Sequence, residues 1–309
     1  MNNILTNTLE PMSTTNQFKT FPLDHLGILC VSGGDAPQFL QGQATADFRT
    51  VNQDTGLLGA FCSAKGRVIS TFIAIKHIES ILLILPLELV AATQKRLSQY
   101  ILRSKVKLQD YSSTHSLVGI VMEETDEQAI LTTPELIAQF SYPCPAPERR
   151  FIQIIAHGDT WTTNKLDFSN SLSDWQLLDI KAGIPWLTPS NSEEFIPQTL
   201  NLEQLGGISF NKGCYTGQEI VARTHYLGKS KRALFMATVT PPENGDLQIG
   251  AAIIDKQQQK LGSVVNLVQQ PTQYYLLITL TSDPHESTKL YVTTPETQLE
   301  ITLFNFNKT

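Results

Sequence analysis

The sequence predicts a mixed α+β chain that ends in a β-only region, and three observations carry that expectation. Between residues 26 and 110 short apolar runs alternate with helical patterns in the order strand, helix, strand. After Gly228 the texture changes to short β-rich runs separated by turns. At 309 residues the chain is long enough for two or three units that each bury a core.

Residues 1–20 are polar, lack a basic start and hold no long apolar run, so they read as a flexible tail rather than a signal peptide. A strand over 26–31 runs into Ser32-Gly33-Gly34, after which Asp35 sits as an N-cap for a short helix ending near Gly42. Strands follow over 57–62, 68–76 and 80–85, and the tip between the first two, residues 63–67, carries Lys65 and Arg67. Such tips are usually solvated. Pro86 ends the third strand, a helix over 87–102 follows, and 105–110 alternates as a strand. A second unit of the same kind is expected, with a strand over 117–122, a helix over 134–140 and a strand over 151–156. The three prolines of 142–147 mark a connecting loop.

A helix over 174–182 is closed by Gly183 and Pro185, and its Trp175 is either a core anchor or a flat wall for a planar ligand. Residue chemistry favours the core, since large aromatic rings are usually buried. Residues 188–205 are irregular and polar, the kind of ordered loop that tends to serve a site. Beyond residue 228, six strands over 233–240, 251–254, 261–268, 274–280, 290–293 and 299–303 suggest a small barrel or sandwich over 229–309. Turns at 241–245 and 282–284 punctuate them.

Composition narrows the function classes. With 41% hydrophobic and 17% charged residues the chain is an ordinary globular protein, and its most apolar stretch, 81–89, is too short to cross a bilayer. A net charge of −6 argues against a direct nucleic-acid partner, although residues 212–232 hold five basic residues against one acid. The four cysteines are widely spaced without a C-x-x-C pair, which fits neither a metal site nor a disulfide framework. A reducing, cytoplasmic location is the default expectation.

The stretch with the most chemistry is 206–232. Thr216 and Glu219 have the spacing of a capping box, which starts a helix at Gly217 and leaves Cys214 just outside its first turn. The partial positive charge of that helix start and the nearby Lys212 ammonium would polarise the thiol, making Cys214 a candidate reactive group; the alternative is a small buried hydrophobe. Gln218, Glu219 and Arg223 either point into a site or form a solvated face with an i,i+4 pair.

The run Lys212-Gly213-Cys214-Tyr215-Thr216-Gly217-Gln218-Glu219, preceded by Gly207-Ile208-Ser209-Phe210, closely resembles the signature of the YgfZ family of folate-binding proteins, relatives of the glycine cleavage T protein. Matches extend to Phe39-Leu40-Gln41-Gly42-Gln43, Lys65-Gly66-Arg67, Ala182-Gly183-Ile184-Pro185 and Phe195-Ile196-Pro197-Gln198, covering nearly the whole chain after residue 20. The resemblance implies a three-lobed ring, two interleaved α+β lobes over 21–228 and a C-terminal β-barrel, around a hole that binds tetrahydrofolate. It implies Trp175 as the pterin wall with Leu26 opposite, and Lys212 and Arg223, with Lys65 and Arg67, as partners for anionic parts. The T-protein segment similar to 66–71 carries acids where this chain has Ser70 and Thr71, and hydroxyls cannot replace a carboxylate in proton transfer. The resemblance therefore implies an accessory protein for iron-sulfur enzymes, including those that modify tRNA. The competing expectation is a folate-dependent aminomethyltransferase-type one-carbon transferase.

Overall fold

The computed structural model describes residues 18–122, 135–145, 148–157, 168, 170–228, 230–242, 246–281, 289–304 and 306. The first sheet is built from β2 (Leu26–Ser32), β3 (Leu57–Cys62), β4 (Val68–His77), β5 (Ser80–Pro86) and β6 (Lys107–Asp110), in the order β3-β4-β5-β2-β6 and antiparallel throughout. Helices α1 (Ala36–Gln41) and α2 (Leu87–Ser98) cover one face. Both faces of β2, β4 and β5 are therefore buried, which is why these strands read as near-continuous apolar runs. Leu29, Val31, Leu83 and Leu85 pack with the helices, while Ile28, Cys30, Leu82 and Ile84 face a larger core shared with the rest of the molecule.

The second sheet is β1 (Phe18–Pro22), β7 (His115–Met122), β9 (Arg149–Ala156) and β8 (Leu136–Ser141), in that order. Its first strand precedes the first sheet in the chain, so the two lobes are interleaved, and ordered structure starts inside the stretch read as a tail; residues 1–17 lie outside the described residues. The helix expected over 134–140 is a correction: Pro134 lies outside the described residues, and 136–141 is a strand. It pairs with β9 from Leu136↔Ile155 to Ser141↔Phe151, and the open ladder of β9 outweighs local helix preference. The helix expected over 87–102 ends at Ser98, and Leu102 is 89% exposed in a left-handed conformation. Asp35 precedes α1 as expected but makes no cap bond, because its carboxylate accepts from the Lys105 N–H instead.

After α3 (Leu172–Lys181), a 3₁₀ turn (Pro197–Leu200) and α4 (Gln218–Leu227), the chain forms β10 (Arg232–Val239), β11 (Ala252–Asp255), β12 (Lys260–Gln269), β13 (Tyr274–Thr281), β14 (Leu290–Thr293), β15 (Gln298–Glu300) and β16 (Thr302–Phe304). The sheet order is β15-β14-β11-β12-β13-β10-β16. The run expected as one strand over 299–303 is two, because buried Ile301 carries the chain from one sheet edge to the other. That step leaves a nearly closed sheet whose two edges are short three-residue strands. The turns expected at 241–245 and 282–284 lie largely outside the described residues.

One core joins the three lobes: Ile84 of the first, Ile152 and Trp175 of the second, and Leu234 and Val265 of the barrel belong to the same cluster. At its polar centre Asp179 of α3 accepts from Tyr142 Oη at 2.9 Å, Arg150 Nη1 at 2.7 Å and Trp186 Nε1 at 3.0 Å. Asn266 of β12 clamps the backbone of Trp186, accepting from its N–H and donating to its carbonyl. The carboxylate thus ties β9, the loop after β8, α3 and the barrel together. Burial pushes its carboxyl up, and Arg150 with the other donors pulls against that. Arg150→Met would leave Asp179 buried and unpaired, and urea denaturation should show a loss of about 3–5 kcal/mol. Adding Asp179→Leu to that variant should recover part of the loss.

Candidate functional site

The three lobes meet at a cavity of about 400 Å³. The turn between β1 and β2 supplies Asp24 and His25, the β5–α2 junction Pro86, Leu87 and Glu88, α3 Gln176, Asp179 and Ile180, the following loop Ile184, Trp186, Leu187 and Thr188, and the barrel Ile249, Asn266 and Leu267. The wall is mainly apolar, with Trp186 as its flat aromatic surface. His25 is the unusual member. Neither ring nitrogen has a hydrogen-bond partner, and burial pushes the imidazole down to about 4, so it is neutral at physiological pH. A neutral imidazole carries one donor and one acceptor, and both are covered here, so a ligand reaches them once the ring turns toward the cavity.

The residues expected to line such a cavity lie elsewhere. Trp175 is 0% exposed, with its ring 5.5 Å from Phe21, 5.2 Å edge-on to Tyr142 and beneath the Arg150 guanidinium. Gly119 makes the room, since a Cβ there would come within 2.5 Å of the indole. Trp175 therefore sits in the core, the place residue chemistry favours, and does not line the cavity. Leu26 is likewise in the core, while its neighbour His25 faces the cavity. Lys65, Arg67 and Arg223 are exposed and none of them lines the cavity; Arg67 donates to the Glu194 carbonyl. Sequence reasoning passed over His25, Trp186 and Asn266. The available signal was Trp186 itself, a second tryptophan directly after the helix-ending Gly183-Ile184-Pro185.

The glycine-cysteine loop forms a separate surface. Lys212 points inward, its ammonium donating at 2.6 Å to the carbonyls of both Ala44 and Ala46 and lying over the Tyr215 ring. It therefore acts as a clamp on residues 44–46, with its ammonium committed to two carbonyls. Thr45 completes the clamp by donating to the Gly207 carbonyl and accepting from the Ala60 N–H. The expected capping box is absent. Gly217 is the N-cap at φ 84°, without a side-chain cap bond, and the Thr216 hydroxyl faces Gln43. A Cβ at Gly217 would lie 2.4 Å from the Ser63 carbonyl, so the tip of the β3–β4 hairpin presses directly on the start of α4. Within the motif, Tyr215 is buried, whereas Gly213, Cys214 and Glu219 are exposed and Gln218 is half-buried. Cys214 is thus not the small buried hydrophobe of the alternative reading.

The cavity and the thiol surface are joined by β4. Its start abuts the hairpin tip, while Thr71 further along donates to the Pro185 carbonyl at the cavity wall. The irregular segment runs beside it, with Glu193 N–H donating to Val68 O and Ser192 Oγ to Ile69 O. Four steps along the chain, roughly 13 Å in extended backbone, separate Arg67 from Thr71. Among the described residues there is no cluster of three or more metal-ligating side chains and no helix long and apolar enough to cross a membrane.

No protein-family model matches the chain. It is 34% identical over 236 residues to the tRNA-modifying protein YgfZ of Hamiltonella defensa, covering 72% of this chain and 70% of that protein. It is 37% identical over 224 residues to the protein of the same name from Colwellia psychrerythraea, covering 69% of each. Among solved structures, the glycine cleavage system aminomethyltransferase T from Bartonella henselae superposes with a TM-score of 0.70 over 94% of this chain and 86% of its own, at 14% identity. That likeness shows the fold.

Two outcomes check the loop. Gly217→Ala forces both a left-handed backbone and a clash, and should lower stability by roughly 1–3 kcal/mol in chemical denaturation. Burial pushes Lys212 down from 10.5 to about 8, so between those values the unfolded chain holds more protons than the folded one. Stability relative to a Lys212→Met chain should therefore rise with pH across that window, by on the order of 1–2 kcal/mol after solvent screening, in paired urea titrations.

Proposed function

Because the chain belongs to the YgfZ family of tRNA-modifying proteins, we propose that it is a tetrahydrofolate-binding accessory protein that supports assembly or repair of iron-sulfur enzymes in the cytoplasm, and thereby tRNA modification. The observation that carries this reading is the cavity where the three lobes meet. Its volume of about 400 Å³ falls in the range for small-molecule sites. A reduced pterin needs a flat apolar wall and a few groups that both donate and accept, and Trp186, His25 and Gln176 are of those types. In this reading Trp186 takes the part that the family resemblance implied for Trp175. Bound tetrahydrofolate supplies a carrier for one-carbon units.

The hydroxyls that stand where the T-protein segment carries acids are already committed. Ser70 Oγ donates to the Thr71 carbonyl at 2.9 Å and Thr71 Oγ1 to the Pro185 carbonyl at 2.8 Å, both fully buried. The buried carboxylate of the wall, Asp179, is paired with Arg150 and accepts from two further donors. Cys214 is presented outward on its loop, where a client enzyme can reach it. One thiolate does not hold an iron-sulfur cluster, so its part is a shared ligand or a redox thiol used together with that client.

Calorimetry with tetrahydrofolate should give binding that His25→Ala weakens about threefold to tenfold. An aminomethylated carrier protein should yield no methylenetetrahydrofolate, and turnover there would favour the transferase instead. In cells lacking the protein, cluster-dependent tRNA thiolation should fall, and Cys214→Ala should restore it poorly. Full restoration by that variant would take the thiol out of the mechanism.

A further inference from the structure

The central cavity is one-sided in charge. Asp24, Glu88 and Asp179 bring carboxylates to its lining, and among the described residues no lysine or arginine lines it. Asp179 is matched by Arg150. Asp24 and Glu88 are exposed, and neither makes an ion pair among the described residues, which places them at the mouth. His25, the remaining group able to carry positive charge, is neutral. The cations Lys65, Arg67, Lys212 and Arg223 are on the hairpin tip, the glycine-cysteine loop and α4.

A folate has two parts of opposite character. Its reduced bicyclic head is uncharged and carries both donors and acceptors, which suits a neutral imidazole and the Gln176 amide. Its glutamate end carries two carboxylates, which the like charges of Asp24 and Glu88 at the opening disfavour. We propose that the cavity selects the uncharged head of a reduced pterin and repels the glutamate end, so that a tail-less tetrahydropterin is a ligand at least as good as tetrahydrofolate. This rests on the folate reading above and narrows it. Affinity comes from the head, and the tail is directed away from Asp24 and Glu88 into solvent.

The sign of the salt dependence separates this from tail capture. Calorimetry on the full chain would compare tetrahydrofolate with methyl-tetrahydropterin at low salt and at about 0.3 M, where screening is nearly complete beyond a few ångströms. The tail-less pterin should bind as tightly as folate or tighter, with little response to salt, whereas folate should bind about twofold to fivefold tighter as salt is raised. Asp24→Asn and Glu88→Gln lie at the mouth, and each should shift the ratio of the two affinities toward folate by about threefold. Folate binding that weakens with salt, together with no binding of the tail-less pterin, would overturn head selection while leaving folate binding intact. Heat with neither ligand would overturn the folate reading itself.

Discussion

The structure depends on one buried carboxylate. Asp179 gathers a phenol, a guanidinium and an indole N–H from three separate segments. Charges taken out of water are tolerated only when paired and hydrogen-bonded, so this site accepts one arrangement of β9, α3 and the loop that enters the barrel. Trp175 is fixed by the same group, through the Arg150 guanidinium over its ring and Tyr142 against its edge. Trp186 is fixed at both ends, by Asp179 through the indole and by Asn266 through the backbone. A wall held in this way is preorganised, and a flat ligand meets it without first ordering it.

The same constraint separates the chemistry into two places. The cavity lies where three lobes converge on the Asp179 network, and the thiol lies on a loop held by a different device, the Lys212 ammonium in a pair of backbone carbonyls. Strand β4 and the segment beside it run from one to the other. The chain shares the T-protein fold, while its hydroxyls at Ser70 and Thr71 are spent on internal hydrogen bonds.

Strand positions in the first sheet and the barrel were legible because apolar runs and turn residues are local signals. Residues 57–62 and 290–293 coincide with β3 and β14. The motif around Cys214 was equally legible, and it located a glycine-dependent loop before α4. What failed were inferences about where a side chain goes. Thr216 and Glu219 have the spacing of a cap, but Gly217 takes a left-handed turn to pass the Ser63 carbonyl, and the cap geometry is lost.

Periodicity, composition and turn chemistry by themselves determined the α+β class, the β-rich end, the order of most elements and the place of the glycine-cysteine loop before α4, since each depends on neighbours within a few residues. Contacts between distant segments decided the rest. Residues 136–141 became a strand because β9 had a free edge; Trp175 went inward because Gly119 left a space the size of an indole; Lys212 lost its free charge to carbonyls some 166 to 168 positions away. Burial is a property of the surface a side chain meets, and in this protein that surface is assembled from all three lobes.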